Sequence, residues 1–183
     1  MAGANLIRYG YLAAFSRPRC DRMLYRLARR TRTARLVEIG LGSSLRTGRL
    51  LQVCQRYAPG GEVSYTLLDQ FEARTPPDCG VSLKSTYRML AKCGVRTRLL
   101  PGDPGTTLAR HANELLGTDL LLISAVVDPA SLDAAWYYVP RMLHPQSVIL
   151  IEERTAGDQT GWRRLSLSQI AARTDRPHFR RAA

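Results

Sequence analysis

Short apolar runs alternate with longer stretches of helical period along most of this chain. Residues 34–39, 62–68, 95–100, 119–125 and 147–152 read as strands. Between them, residues 44–57, 81–93, 104–116 and 131–143 carry apolar positions at helical spacing. Pro59-Gly60-Gly61, Gly94 and Pro101-Gly102-Asp103 punctuate the pattern, and Thr75-Pro76-Pro77-Asp78 marks a loop. The segment DLLLISA at 119–125 is apolar without alternation, as a central parallel strand buried on both faces requires. Strand–helix alternation of this kind predicts an α/β, doubly wound, mostly parallel Rossmann-like sheet of about five strands.

The ends of the chain differ from this core. Residues 18–30, PRCDRMLYRLARR, read as a basic N-terminal helix with Ser16 as cap and Pro18 in its first turn. Cys20, Met23, Leu24 and Leu27 would share its packed face. Residues 161–173, GWRRLSLSQIAAR, read as helical, in a short C-terminal extension. The expected organisation is one domain over 1–183: a basic N-terminal segment 1–32, an α/β core 33–153 and a basic C-terminal segment 154–183.

Charge sharpens that division. The formal net charge is +12. Residues 1–35 hold nine arginines and one acid, 154–183 hold seven arginines and two acids, and the stretch between is nearly neutral. Basic ends can bind nucleic acid or anionic surfaces, or be solvated faces. The chain has no aromatic-rich RNA motif, which favours solvated faces. No apolar run is long enough to predict a membrane span, and no signal-peptide pattern opens the chain. Cys20, Cys54, Cys79 and Cys93 lack C-x-x-C spacing and read as reduced thiols of a cytoplasmic protein.

The chemistry concentrates where strands end, since ligands of such sheets bind outside the carboxyl ends of the strands. At the first end, Glu38-Ile39-Gly40-Leu41-Gly42-Ser43 forms a glycine turn opening a helix, where backbone can approach a ligand. Glu38 could accept from a ligand amine or brace the loop's own N–H groups. Asp69, ending the second strand, suits two ribose hydroxyls or a cap of the following loop. Asp103 could meet an adenine amine or cap the helix begun by Pro104. Ser124 to Asp128 and Glu152-Glu153 complete the rim. The third glycine of a dinucleotide fingerprint would fall at Leu45, and the gap from Gly42 to Asp69 exceeds the usual ~20 residues, which weighs against a nicotinamide site.

Taken in order, VEIGLGSS, LLDQF, LLPGDP and LLISAVVDP followed by SVILIE resemble the class I S-adenosylmethionine-dependent methyltransferases. The likeness is greatest to the small-molecule O-methyltransferase-like branch with its GD motif, and it spans residues 33–153. The resemblance implies S-adenosylmethionine as cofactor. Glu38, Gly40, Gly42 and Ser43 would surround its methionine part, Asp69 would hold the ribose, and Gln70 and Phe71 would flank the adenosine. Gly102 and Asp103 would lie near adenine, with Ser124 completing the set.

Three features depart from that family. No acid follows the fourth strand before Asp128, so a magnesium site is not expected. The Asp/Asn-Pro-Pro-aromatic signature of amino-methyltransferases is absent. The usual closing strand pair has little chain left to form it, so the sheet would be truncated, with an edge that a second copy could cover. The expected function is methyl transfer to a small or anionic acceptor, or else a non-catalytic binding module of the same fold. Asp128 is the candidate base at the ligand edge. His111 and His144 read as structural or surface residues. Arg46 and Arg49 would bind an acidic group or lie on a solvated helix face, and Trp136-Tyr137-Tyr138 read as packing.

Overall fold

The computed structural model describes residues 2–74, 81–155 and 159–174. β1 (Arg35–Ile39), β2 (Ser64–Asp69), β3 (Arg96–Pro101), β4 (Thr118–Ile123) and β5 (Leu143–Thr155) are parallel. β6 (Gln159–Leu165) runs antiparallel to β5. The sheet order is β3-β2-β1-β4-β5-β6. It reverses between β1 and β4, where α/β sheets open a crevice at their carboxyl edge.

Alternation along the strands builds two cores. Leu36, Leu120, Leu122, Val148 and Leu150 face one side, with helices α1 (Ala2–Phe15), α2 (Asp21–Thr31), α3 (Ser44–Tyr57) and α4 (Leu83–Ala91). Val37, Ile39, Leu121, Ile123 and Ile149 face the other, with α5 (Pro104–His111), α6 (Pro129–Ala135), α7 (Val139–Met142) and α8 (Leu167–Thr174). Burial on both faces explains the continuous apolar run of β4.

Several helix starts follow from local chemistry. Ser43 caps α3 by accepting from Arg46 N at 3.4 Å. Asp103 caps α5 by accepting from Thr106 N at 3.2 Å, and Asp128 accepts from Ala130 N at 3.3 Å to cap α6. Pro104 and Pro129 follow these caps in first-turn positions that need no donor.

Among the described residues, the sheet continues past β5 by one of the two closing strands of the family it resembles. It has six strands, and the segment read as helical over 161–173 divides into β6 and α8. Trp162 and Leu165 fit helical spacing, yet they point to opposite cores, as strand geometry allows. The unpaired backbone of β5 supplies the partner that decides the conformation, and Arg163 bonds across to Glu153 at 2.6 Å.

Other boundaries also shift. A helix over Ala2–Phe15 precedes α2, and Ser16 ends it by donating to Leu12 O at 2.6 Å rather than capping α2. Pro18 lies in the connection, and Met23 is exposed, outside the packed face. The helix expected over 131–143 breaks into α6 and α7, because Pro140 has no N–H for the carbonyl one turn back and sits instead in the first turn of α7. The helix expected over 104–116 narrows after His111 to a 3-10 turn, Ala112–Leu115. Thr75-Pro76-Pro77-Asp78, Cys79 and the end of the C-terminal segment lie outside the described residues. Among the described residues, no helix is long and apolar enough to cross a membrane, and Cys20, Cys54 and Cys93 are free thiols.

Candidate functional site

The carboxyl ends of β1, β2 and β4 frame a small open cleft. Gly40, Leu68, Asp69, Gln70, Arg74 and Pro104 line one part, and Val126, Val127, Asp128 and Ser131 the other. Gly40 turns the chain at φ +76°, which favours glycine. A Cβ there would overlap Val127, so the turn packs directly on the segment after β4.

Asp69 organises the β2 side. Its carboxylate accepts from Leu41 N at 2.6 Å and from Phe71 N at 2.7 Å. Arg74 donates through Nε at 2.8 Å to Oδ1 and through Nη2 to Oδ2, and Nη2 also donates to Leu41 O at 3.0 Å. Asp69 therefore braces the glycine turn and the loop after β2 together. Phe71 has φ +48°, uncommon for a residue with a side chain, and its ring is buried in the core rather than set beside the cleft. Gln70 stays at the cleft wall.

A second polar cluster flanks the turn on the β4–β5 side. Arg46, in the first turn of α3, is 5% exposed. It donates from Nη1 to Glu152 Oε1 at 2.6 Å and from Nη2 to Glu152 Oε2 at 3.3 Å. Ser124 Oγ and Ala125 N donate to Glu152 Oε2 at 2.9 and 3.3 Å. The guanidinium also stacks over Trp162 at 4.8 Å. A Cβ on Gly42 would collide with Ser124 and Arg46, so this cluster fills the space beside the second glycine.

Glu38 lies beneath that cluster, with no exposed surface. It accepts from Thr47 Oγ1 at 2.9 Å and Tyr65 OH at 2.7 Å, with Arg46 at 3.9 Å. Burial pushes its carboxyl up, opposed by Arg46 and by the two hydroxyls. Burial also pushes up Asp21, at the start of α2, against the pull of Arg46. Tyr65 is pushed well up by the same burial and by Glu38.

The structure thus brings together Gly40, Asp69, Gln70 and Asp128 at one cleft. Gly42 and Ser43 follow on the turn, and Ser124 lies behind it, bonded to Glu152. Bracing of loop N–H groups, one task open to Glu38, falls to Asp69. Gly102 donates its N–H to Asp69 O at 2.9 Å, which ties β3 to this edge. Asp103 and Asp128 both serve as helix caps. Arg46 is not on a solvated face.

The histidines are elsewhere. His144 contacts Asp119 at 3.1 Å, at the opposite, amino end of β4, and His111 contacts Arg98 and Glu114, each at 3.2 Å. Trp136 is buried packing, whereas Tyr137 is 40% exposed. Sequence reasoning missed Arg74 and Thr47. Glu152 was visible as a strand-end acid, but not as the partner of Arg46. Among the described residues, no group of three or more His, Cys, Asp or Glu is placed to hold a metal.

No protein-family model matches the chain, and no curated protein matches it significantly in sequence. Solved structures do match. The O-methyltransferase TomG from Streptomyces achromogenes, involved in tomaymycin synthesis and solved with SAM, has 17% identity and a TM-score of 0.52 over 84% of this chain. The O-methyltransferase from Bacillus cereus, solved with SAH, has 17% identity and a TM-score of 0.52 over 84% of this chain. Cofactor-bound Rv0187 from MTB has 18% identity and a TM-score of 0.51 over 94% of this chain. The matches cover 66%, 67% and 73% of those three chains, respectively. The fold is that of the S-adenosylmethionine-dependent O-methyltransferases.

Proposed function

We propose that the protein binds S-adenosylmethionine in the cleft beside Gly40 and transfers its methyl group to a small or anionic acceptor. The observation that carries this reading is the Asp69 carboxylate, fixed at the end of β2 against the N–H of the glycine turn, in the wall of a cleft and covered there by Arg74. A strand-end carboxylate offers the acceptors that two ribose hydroxyls need. Its acceptor chemistry fits the ribose hydroxyls of the nucleoside half of the cofactor, with Gln70 in the same cleft wall. The cofactor would supply an activated methyl group. The chain would supply mainly orientation, since an acceptor and a methyl donor held in line need little else. Asp128 is exposed at the same cleft and would accept the proton of a protonated acceptor. We place this activity in a single unit spanning 1–183 and in the cytoplasm, where the free thiols persist.

A second reading is a non-catalytic module of the same fold. The packing beside Gly42 favours it, because Arg46 and Ser124 occupy the flank assigned above to the methionine part. Calorimetric titration with S-adenosylmethionine and S-adenosylhomocysteine separates the two, with NAD as control. The first reading expects micromolar binding that weakens at least tenfold in a folded Asp69→Ala protein, through loss of hydrogen bonds to a charged group worth about 1.5–3 kcal/mol each. Absence of binding to either compound favours the non-catalytic module.

A further inference from the structure

We propose that Arg74 is a built-in competitor for the Asp69 carboxylate, so that a ligand bearing a vicinal diol binds only after the guanidinium has left. This inference rests on the cofactor-site reading above. An ionised carboxylate has about four lone-pair sites. On Asp69 two are taken by backbone, Leu41 N and Phe71 N. The remaining two are taken by Arg74 Nε and Nη2. The edge of a guanidinium and the two hydroxyls of a ribose present the same thing to a carboxylate: a pair of adjacent donors. Arg74 therefore stands in for the group that the site is proposed to bind.

Its setting suits exchange. The Arg74 side chain is 9% exposed and lines the cleft beside Gly40 and Gln70. Its third bond, Nη2 to Leu41 O at 3.0 Å, draws it over the glycine turn. The backbone donors have separate anchors. Phe71 is held by its buried ring, and Gly40 donates its N–H to Leu68 O at 2.8 Å. Departure of Arg74 would thus free two acceptor sites without dismantling the turn. The ligand class is nucleosides and nucleoside thioethers with free 2′ and 3′ hydroxyls, and their apparent affinity is scaled by the fraction of molecules in which Arg74 has swung out.

The test is titration of S-adenosylhomocysteine into the full chain as wild type, Arg74→Ala and Arg74→Lys, with melting curves for each. For a latch open about one-tenth of the time, Arg74→Ala should bind about tenfold more tightly. Arg74→Lys keeps the charge but not the paired donors, and should tighten by a smaller factor. If Arg74→Ala does not fold, the lysine variant decides alone. Equal or weaker binding by the deciding variant overturns the competitor role and leaves the cofactor reading standing. No binding by any of the three proteins overturns both.

Discussion

Removing Arg46 should reveal how much of the fold hangs on the cluster beside the glycine turn. Arg46→Met keeps most of the side-chain length and removes the charge. Glu152, 7% exposed, would retain Ser124 and Ala125 as donors but lose the bonds at 2.6 and 3.3 Å. Glu38 would lose its only opposing charge within 4 Å among the described residues. Breaking a buried ion pair from one side costs about 3–5 kcal/mol. Loss of the stacking over Trp162 falls within that range, at roughly 0.5–2 kcal/mol. A cost of about 4 kcal/mol is a large share of the 5–15 kcal/mol usual for a domain, and should lower the melting temperature by roughly 8–16 °C. Denaturant unfolding followed by tryptophan fluorescence suits the measurement, since Trp162 sits under the guanidinium. Glu152→Gln should cost about 3 kcal/mol by the same reasoning. The double variant should cost less than the sum of the two by about 2 kcal/mol. Additive costs, or an Arg46→Met protein within about 1 kcal/mol of wild type, would refute the reasoning.

Gly40→Ala combines a left-handed backbone, costing about 1–2 kcal/mol, with an overlap on Val127 costing about 1–3 kcal/mol. A thermal melt should therefore show a drop of several degrees or more, and an unchanged midpoint would contradict the packing described. Glu38, raised by burial, contributes stability that is complete below its ordinary value of 4.5 and is lost as pH rises through its raised folded value. Urea midpoints should accordingly favour Glu38→Gln over wild type increasingly as pH rises through that window, and a constant difference would count against a buried, ionising Glu38. Arg163→Gln breaks a half-exposed bond to Glu153, and equilibrium unfolding should register about 0.5 kcal/mol or less.

What could be read from the residues depended on how far apart the deciding partners lie. The central strand β4 was legible because Leu120–Ile123 is an unbroken apolar run, and burial on both faces tolerates that. The helix starts after Ser43 and Asp103 were legible because each cap acts within three residues, whereas the cap at Asp128 was not, and that helix begins two residues earlier than its apolar spacing predicts. The sixth strand was not, since its conformation is decided by hydrogen bonds to β5 rather than by its own spacing. α1 was missed for a related reason: AGANLIRYGYLAAF carries two glycines and no cap signal, and it is held by packing of Leu12 into the first core. Glu38 was legible as a strand-end acid, but it was expected beside the methionine part of the cofactor, and the structure buries it instead. It shares a face with Leu36, so it enters the core under α3 rather than the cleft. Asp69 was legible as the acid of the second strand. Arg74 was not, because its approach to Asp69 depends on the turn made by Phe71 at positive φ.

The two arginines divide the site into parts of different character. Arg46 is locked by a carboxylate on β5, an aromatic ring on β6 and the cap of its own helix, so it belongs to the load that holds the sheet edge together. Changes there will reduce stability first, and any loss of ligand binding will be inseparable from it. Arg74 differs in what its removal leaves behind. That removal also breaks a buried ion pair from one side and will cost stability on the same scale, but Asp69 keeps the two backbone donors that tie it to the glycine turn and the loop after β2. Substitution at 74 should therefore lower stability and raise affinity. Because the two effects have opposite signs, a melting curve and a titration on the same variant read them separately.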